Sequence, residues 1–170
     1  MSDKLDLILL LAKIWSVVDN HPKFRALTVD GGCDAFSYVI KQLFRNGNTS
    51  RFEGVDMLSP MLKGEFHTIL YDKKTKWFFD MTAIQYISTD NDKESKVFNT
   101  AIQNNIKAIG APILFGNFRY FNSLGYFMPK RGSIKNVFDR FRVCEYREMK
   151  LPDLIFALRQ KFDDKIRPLM

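Results

Sequence analysis

The chain has 170 residues, of which 46% are hydrophobic and 14% aromatic, and its formal net charge is +7 at pH 7. This length predicts one domain covering residues 1–170, with enough apolar content for a hydrophobic core. Two cysteines are too few for a disulfide framework, and no Cys/His cluster has metal-ligand spacing. We therefore expect a protein of a reducing compartment that needs no cofactor or metal.

The first predicted element is a helix over residues 5–18, preceded by a capping-type serine. Its longest apolar run, residues 7–12, is too short to cross a membrane, and no signal-peptide cleavage site follows. We expect a cytoplasmic protein without a membrane partner. Pro22 ends the helix, and His21 before it is at most a second-choice catalytic base.

A turn at residues 30–32 leads into the second predicted helix, which begins at Cys33. Its apolar residues have the i, i+3, i+4, i+7 spacing of a buried face, and Cys33 extends the same stripe upstream. They are Phe36, Val39, Ile40 and Leu43. Amides at a helix N-terminus favour an anion, so they can stabilise a thiolate and a developing oxyanion. Gly47 predicts the helix end as a left-handed cap.

After a strand at residues 51–57, a predicted hairpin carries His67 on one strand and Asp80 on the next. A turn centred between Lys73 and Lys74, with two or four loop residues, would place His67 directly opposite Asp80. Opposed residues have Cβ atoms about 4.5–5.5 Å apart, close enough for a carboxylate to accept the imidazole proton. The order Cys, His, Asp matches a thiol nucleophile, its base and the group that orients the base.

A structural interpretation stands beside this one. Cysteine is among the most buried residue types, and a lone histidine in a strand is usually a hydrogen-bonded polar group. We favour the catalytic interpretation because the chain has only two Cys and two His, which makes coincidence a weaker explanation. Cys144 has no nearby histidine and is interpreted as structural.

The motifs Gly31-Gly32-Cys33, His67 and Phe78-Phe79-Asp80 resemble the transglutaminase-like branch of the papain-like cysteine enzymes. This resemblance covers residues 28–86 and implies an α+β fold in which a cysteine helix packs on an antiparallel sheet carrying His and Asp. It also implies acyl-transfer chemistry on a thiol. The papain-type glutamine upstream of the cysteine has no counterpart at residues 25–28, so the second oxyanion donor is unassigned. Gln85 could reach the site, although we prefer to interpret it as an ordinary strand-end residue.

Beyond the hairpin we predict a helix that starts near Asp90 and is stopped by Gly110, and a C-terminal helix over residues 152–166. Between them, residues 111–150 contain eight basic and three acidic residues, and so hold +5 of the net charge. Aromatic residues alternate with the basic ones, a pattern that can stack bases and neutralise phosphates. We prefer the interpretation that the aromatic residues belong to the core and the basic residues to a solvated rim, because no recognised RNA motif accompanies this segment.

Two functional hypotheses follow. The first is a cysteine hydrolase or acyltransferase, of protease, amidase or deamidase type, with the catalytic residues Cys33, His67 and Asp80 and a protein or peptide-like substrate. The basic segment would suit an acidic substrate. The second is a small basic binding module for nucleic acid or an acidic protein surface.

Overall fold

The computed structural model describes residues 3–28, 32–58, 67–131 and 150–170 and has an α+β architecture, as predicted. The helices are α1 (Asp3–Asp19), α2 (Cys33–Leu43), α3 (Lys93–Ile109), α4 (Phe118–Ser123) and α5 (Leu151–Ile166). The strands are β1 (Arg45–Asn46), β2 (Thr49–Ser50), β3 (Phe52–Leu58), β4 (His67–Asp72), β5 (Phe78–Asp80), β6 (Leu114–Gly116) and β7 (Phe127–Arg131). Short 3₁₀ helices cover Arg25–Thr28, Ala83–Tyr86 and Arg167–Leu169.

The central sheet is antiparallel, with strand order β6-β5-β4-β3-β7. One face packs against α1, α2 and α5 through side chains such as Phe52, Leu70 and Phe79. The other face packs against α3 and α4 through side chains such as Ile69 and Phe78. Because strand residues alternate between faces, covering both faces buries every residue of β4 and β5, including consecutive apolar residues such as Ile69 and Leu70.

Helix α2 has the predicted buried stripe. Phe36, Val39, Ile40 and Leu43 are all fully buried, and the helix contacts β3, β4 and α5. The predicted helix end is wrong. α2 stops at Leu43, and Gly47, with φ +62°, begins the two-residue loop that joins β1 to β2. A positive φ at the first loop residue is what such a tight hairpin requires, so the glycine serves the turn rather than the helix.

The hairpin of β4 and β5 forms with a different register from the predicted one. Leu70 faces Phe79 and Tyr71 faces Phe78, which leaves a four-residue loop at 73–76. Asp72 fixes this loop, because its carboxylate accepts the N–H of Lys74. The predicted direct pairing of His67 with Asp80 is therefore wrong.

His67 and Asp80 nevertheless lie on the same face of the sheet. Continuing the register places Asp80 opposite Ile69, which is diagonal to His67. Diagonal neighbours are about 7–8 Å apart, within reach of long side chains. The observed register differs from the predicted one by an even number of residues. Both side chains therefore still lie on the face that packs against α3 and α4.

The remaining predicted helices are also present. Asp92 caps α3, and Gly110, with φ +76°, ends it in the left-handed conformation. α5 begins with Pro152 in its first turn. Within the described ranges, no helix is long and apolar enough to cross a membrane.

Candidate active site

Cys33 is the first residue of α2, and its side chain is a half-buried free thiol. Gly32 precedes it, and the carbonyl of Gly32 accepts the first helical hydrogen bond from the N–H of Phe36 at 2.9 Å. The amides of residues 33–35 therefore have no acceptor within the helix. Cys33 thus lies at the positive end of the α2 dipole, as the sequence predicted.

His67 is the first residue of β4 and is completely buried. Its Nε2 lies 2.7 Å from Oδ2 of Asp80. The ring also makes a hydrogen-bond contact with the side chain of Cys33. Nε2 is occupied by Asp80, and Nδ1 lies 3.0 Å from the hydroxyl of Tyr86. The structure thus brings the three predicted residues together, in the predicted order, although the hairpin register differs.

Asp80, the last residue of β5, is completely buried and well supplied with donors. Oδ1 accepts the N–H of Thr82 at 3.0 Å. Oδ2 accepts the hydroxyl of Tyr126 at 2.6 Å in addition to its contact with His67. A buried carboxylate is costly unless it is paired and hydrogen-bonded, and Asp80 meets both conditions.

The environment of His67 favours the imidazolium. Burial lowers the pKa of His67, but the charge of Asp80, the hydrogen bond to Asp80 and the contact with Cys33 together raise it to about 10. The ring is therefore charged at neutral pH and can donate from both nitrogens. The ring therefore places a positive charge at the site of the predicted nucleophile.

Two tyrosines of the cluster were missed by the sequence analysis. The hydroxyl of Tyr86 lies 3.0 Å from Nδ1 of His67, and the two rings meet edge to face at 4.7 Å between centroids. Tyr126 reaches Asp80 from the segment that precedes β7. Tyr86 follows Asp80 closely in the chain, so it could have been proposed. Tyr126 is distant in sequence, and no motif marks it.

Gln85 lies in the 3₁₀ helix Ala83–Tyr86 rather than at the predicted end of a strand. Its amide donates to the hydroxyl of Thr82 at 3.1 Å, so it reinforces the turn that holds Asp80. His21 lies in an exposed turn, where its Nδ1 accepts the N–H of Lys23 at 3.1 Å. This local contact gives it no part in the cluster.

A second polar group fixes the start of α2 against the sheet. The hydroxyl of Thr68 contacts the carboxylates of Asp34 and Asp56, the latter at 3.1 Å. These residues come from β4, α2 and β3 respectively, so the contacts connect the residue after Cys33 to the residue after His67. They hold the helix start and the strand start in register with each other.

Other predicted features fall on residues that the structure does not describe. They are residues 30 and 31 of the predicted turn, Cys144, and the part of the basic segment at 132–149. Among the residues it does describe, no group of three or more His, Cys, Asp or Glu side chains is placed to hold a metal ion.

Comparisons of the chain with protein-family models, with curated proteins and with solved structures find no significant match. Any assignment of function therefore depends on the geometry of the cluster itself.

Proposed function

We propose that this chain is a cysteine acyl-transfer enzyme, with Cys33 as nucleophile, His67 as general base and acid, and Asp80 as the group that orients His67. The substrate would be an amide, ester or thioester of a protein or peptide-like molecule. We further propose that the α+β fold belongs to the transglutaminase-like branch of the papain-like enzymes.

One observation carries this proposal. The ring of His67 bonds the carboxylate of Asp80 at 2.7 Å and interacts with the side chain of Cys33, and both His67 and Asp80 are fully buried. A nucleophile in contact with a base whose other nitrogen is held by a third group is the arrangement that thiol catalysis uses. A core histidine needs no partner thiol at a helix N-terminus, so the structural interpretation explains less of the geometry.

The first half-reaction would begin with a thiolate at Cys33 and an imidazolium at His67. The sulfur attacks the carbonyl carbon and forms a C–S bond, while the carbonyl electrons move onto oxygen. When the tetrahedral intermediate collapses, His67 transfers its Nδ1 proton to the departing amine, alcohol or thiol. The products are that leaving group, a thioester on Cys33 and a neutral imidazole.

The second half-reaction would release the acyl group. Neutral His67 accepts a proton from water or an amine as that nucleophile attacks the thioester carbon. Breaking the C–S bond returns the electron pair to sulfur and restores the thiolate beside the imidazolium. Water gives hydrolysis or deamidation, and an amine gives transfer, so the same residues serve both outcomes.

Charge on the carbonyl oxygen would be stabilised at the start of α2. The backbone amides of the first turn lie beside Cys33, and no intrahelical acceptor precedes them. Amides directed at a developing oxyanion are typically worth about 10²–10³ in rate each. Nε2 of His67 would remain bound to Asp80 throughout, which fixes the orientation of the ring and leaves Nδ1, beside the hydroxyl of Tyr86, as the nitrogen that exchanges protons.

The binding-module hypothesis depends on the basic segment at 111–150, much of which lies outside the described residues. It remains a prediction, and the covalent-trapping experiment described next tests it against the enzyme proposal. A binding module would not need a reactive thiol.

Covalent trapping is the most direct test of the enzyme proposal. A Cys144→Ser variant leaves Cys33 as the one thiol of the chain. We expect peptide thioester or glutamine-mimic probes to acylate this variant. Its intact mass should then increase by the mass of the probe without its leaving group. Iodoacetamide should also label it near pH 7 faster than it labels an ordinary thiol, whose pKa is about 8.5.

A variant with both Cys144→Ser and Cys33→Ala is the matched control and should gain no mass. A Cys144→Ser, His67→Gln variant should label more slowly than the parent, because the imidazolium is lost. If native Cys33 stays silent toward every probe and labels only after denaturation, the enzyme proposal is wrong.

A further inference from the structure

Asp80 Oδ2 has two donors at short distance, and only one of them belongs to the proposed triad. Nε2 of His67 lies 2.7 Å away, and the hydroxyl of Tyr126 lies 2.6 Å away. Tyr126 is 1% exposed, so this bond is shielded from bulk solvent. A hydroxyl that donates to a carboxylate forms one of the stronger hydrogen bonds in proteins.

We infer that Tyr126 is a positioning residue that acts on His67 through Asp80, by donating to the same carboxylate oxygen and so limiting how strongly Asp80 holds the imidazolium. The inference rests on the proposed function only for its catalytic consequence. The hydrogen-bond arrangement itself does not depend on it.

The chemistry explains why such a limit would matter. In the first half-reaction His67 must release its Nδ1 proton to the leaving group, and a general acid works best when its pKa is near the working pH. Burial lowers the pKa of His67, but Asp80, with a smaller contribution from Cys33, raises it to about 10. Because Oδ2 also accepts the hydroxyl of Tyr126, it stabilises the proton on Nε2 of His67 less strongly. Without this second donor, His67 would be a still weaker acid.

Tyr126 is suited to this role because it stays protonated. Burial raises the pKa of its phenol well above 10, and the charge of Asp80 and the bond to Asp80 raise it further. The hydroxyl therefore remains a neutral donor across the pH range in which an enzyme works. Thr82, which donates to Oδ1, keeps the carboxylate from rotating when either donor on Oδ2 changes.

The surroundings define which groups can affect a titration of His67. The ring faces Cys33 on α2, Asp80 on β5, Tyr86 in the 3₁₀ helix after β5, and Tyr126 before β7. Other titratable groups nearby are Asp34 and Asp56, which contact Thr68 beside His67, and Tyr120, which acts on the phenol of Tyr126. A change at Tyr126 alone leaves all of these in place.

Tyr126→Phe removes the hydroxyl and keeps the ring. The aromatic packing on Phe121, at 5.0 Å between centroids, and on Phe98, at 6.4 Å, does not use the hydroxyl. Tyr120→Phe is the matched control, because its phenol is half-buried nearby and no bond to Asp80 is lost. Both variants are made in the full chain.

The readout is the pKa of His67, measured by NMR from its ring resonances, together with the pH dependence of iodoacetamide labelling of Cys33. We expect Tyr126→Phe to shift the His67 titration to higher pH. Any change in the labelling rate that follows deprotonation of His67 should shift to higher pH with it. Tyr120→Phe should leave both unchanged. A purely structural role would lower the melting temperature without an upward shift, so an unchanged or lowered His67 pKa would overturn the inference.

A second substitution keeps the test decisive if Tyr126→Phe does not fold. Site-specific replacement of Tyr126 with 3-fluorotyrosine makes the phenol a stronger donor and changes the shape little. The His67 titration should then shift downward, and an upward shift would overturn the inference. Failure of covalent trapping with these titration shifts present would refute the enzyme proposal and leave the Tyr126 coupling standing.

Discussion

A Cβ atom at Gly32 would lie 2.3 Å from the carbonyl oxygen of Leu27 and 2.7 Å from its Cα. These are backbone atoms, which cannot rotate away as a flexible side chain could. The φ of Gly32 is −77°, a value that any residue adopts, so the glycine is required by close approach rather than by conformation. Leu27 is itself fully buried, and the contact fixes where α2 begins.

Gly32→Ala should therefore displace the start of α2 and the nucleophile that follows it. We expect destabilisation of about 1–3 kcal/mol, the usual cost of overpacking a tight site, and a marked loss of Cys33 labelling at pH 7. Denaturant unfolding and iodoacetamide kinetics measure the two effects.

Gly47→Asn is the control for this variant. Nothing lies within 4 Å of a Cβ at Gly47, and asparagine tolerates its φ of +62° better than other residues do. It should leave labelling unchanged. If Gly32→Ala labels as fast as the parent, α2 does not depend on this contact.

The raised pKa of His67 predicts how stability changes with pH. The folded chain raises this pKa from 6.5 to about 10, so the fold binds the proton more tightly than the unfolded chain. The stabilisation is present in full below about pH 6.5 and is lost as pH rises toward 10. The free energy of unfolding should fall across this window, as measured by denaturant titration at several pH values.

His67→Gln isolates this contribution, because other groups also titrate at high pH. The difference in unfolding free energy between the parent and His67→Gln should shrink from pH 6.5 to pH 10. A difference that stays constant, or a ring resonance that titrates near 6.5, would contradict the charged state of His67.

The four longer helices were accessible from sequence, because hydrophobic spacing and caps are local signals. The short α4 was not predicted. The register of the hairpin was not accessible either. The register depends on the loop at 73–76, where the carboxylate of Asp72 accepts the N–H of Lys74. This loop lies further along the chain than the predicted turn. Predicting the same face for His67 and Asp80 succeeded because an even shift preserves the face.

Tyr126 was beyond sequence reasoning for a different reason. Its contact with Asp80 spans 46 residues, and α3, β6 and α4 lie between the two residues in the chain. Spacing rules describe neighbours on one helix or on paired strands, so they carry no information about such a contact.

Asp80→Asn should separate the orienting role of Asp80 from its charge. The amide keeps the size of the side chain, but the negative charge that raises the pKa of His67 is lost. We expect the His67 pKa to fall and labelling of Cys33 at pH 7 to slow. Turnover on any trapped substrate should fall by about 10⁴, the loss seen when an imidazole is left in the wrong tautomer.

Asp153→Asn, on an exposed position at the start of α5, is a matched charge control and should change neither quantity. Retention of the His67 pKa in Asp80→Asn would show that Asp80 is not its main counter-charge.

The buried Arg51 should be one of the largest single contributors to stability outside the site. Its guanidinium bonds both carboxylate oxygens of Asp72 at 2.8 Å, Asp3 at 2.9 Å and the carbonyl of Leu169 at 2.6 Å. It thereby ties the start of α1 and the C-terminal 3₁₀ helix to the β4–β5 loop. Arg51→Met would leave Asp72 buried without a counter-charge, which typically costs about 3–5 kcal/mol. The exposed Arg45→Met is the control, expected within about 0.5 kcal/mol of the parent.

The pH dependence of the same variant gives a sharper test. Burial alone would raise the pKa of Asp72, but the bonds and charge of Arg51, together with the hydroxyl of Thr75, lower it below its ordinary 3.8. In the parent, this stabilisation is present above about pH 3.8 and is lost as pH falls through the lower folded pKa. In Arg51→Met the burial effect dominates, so the folded pKa rises and protonation of Asp72 relieves an unpaired charge. The penalty of Arg51→Met relative to the parent should therefore shrink as pH falls from 6 to 3 in denaturant titrations. A penalty that does not change with pH would show that Arg51 acts by packing alone.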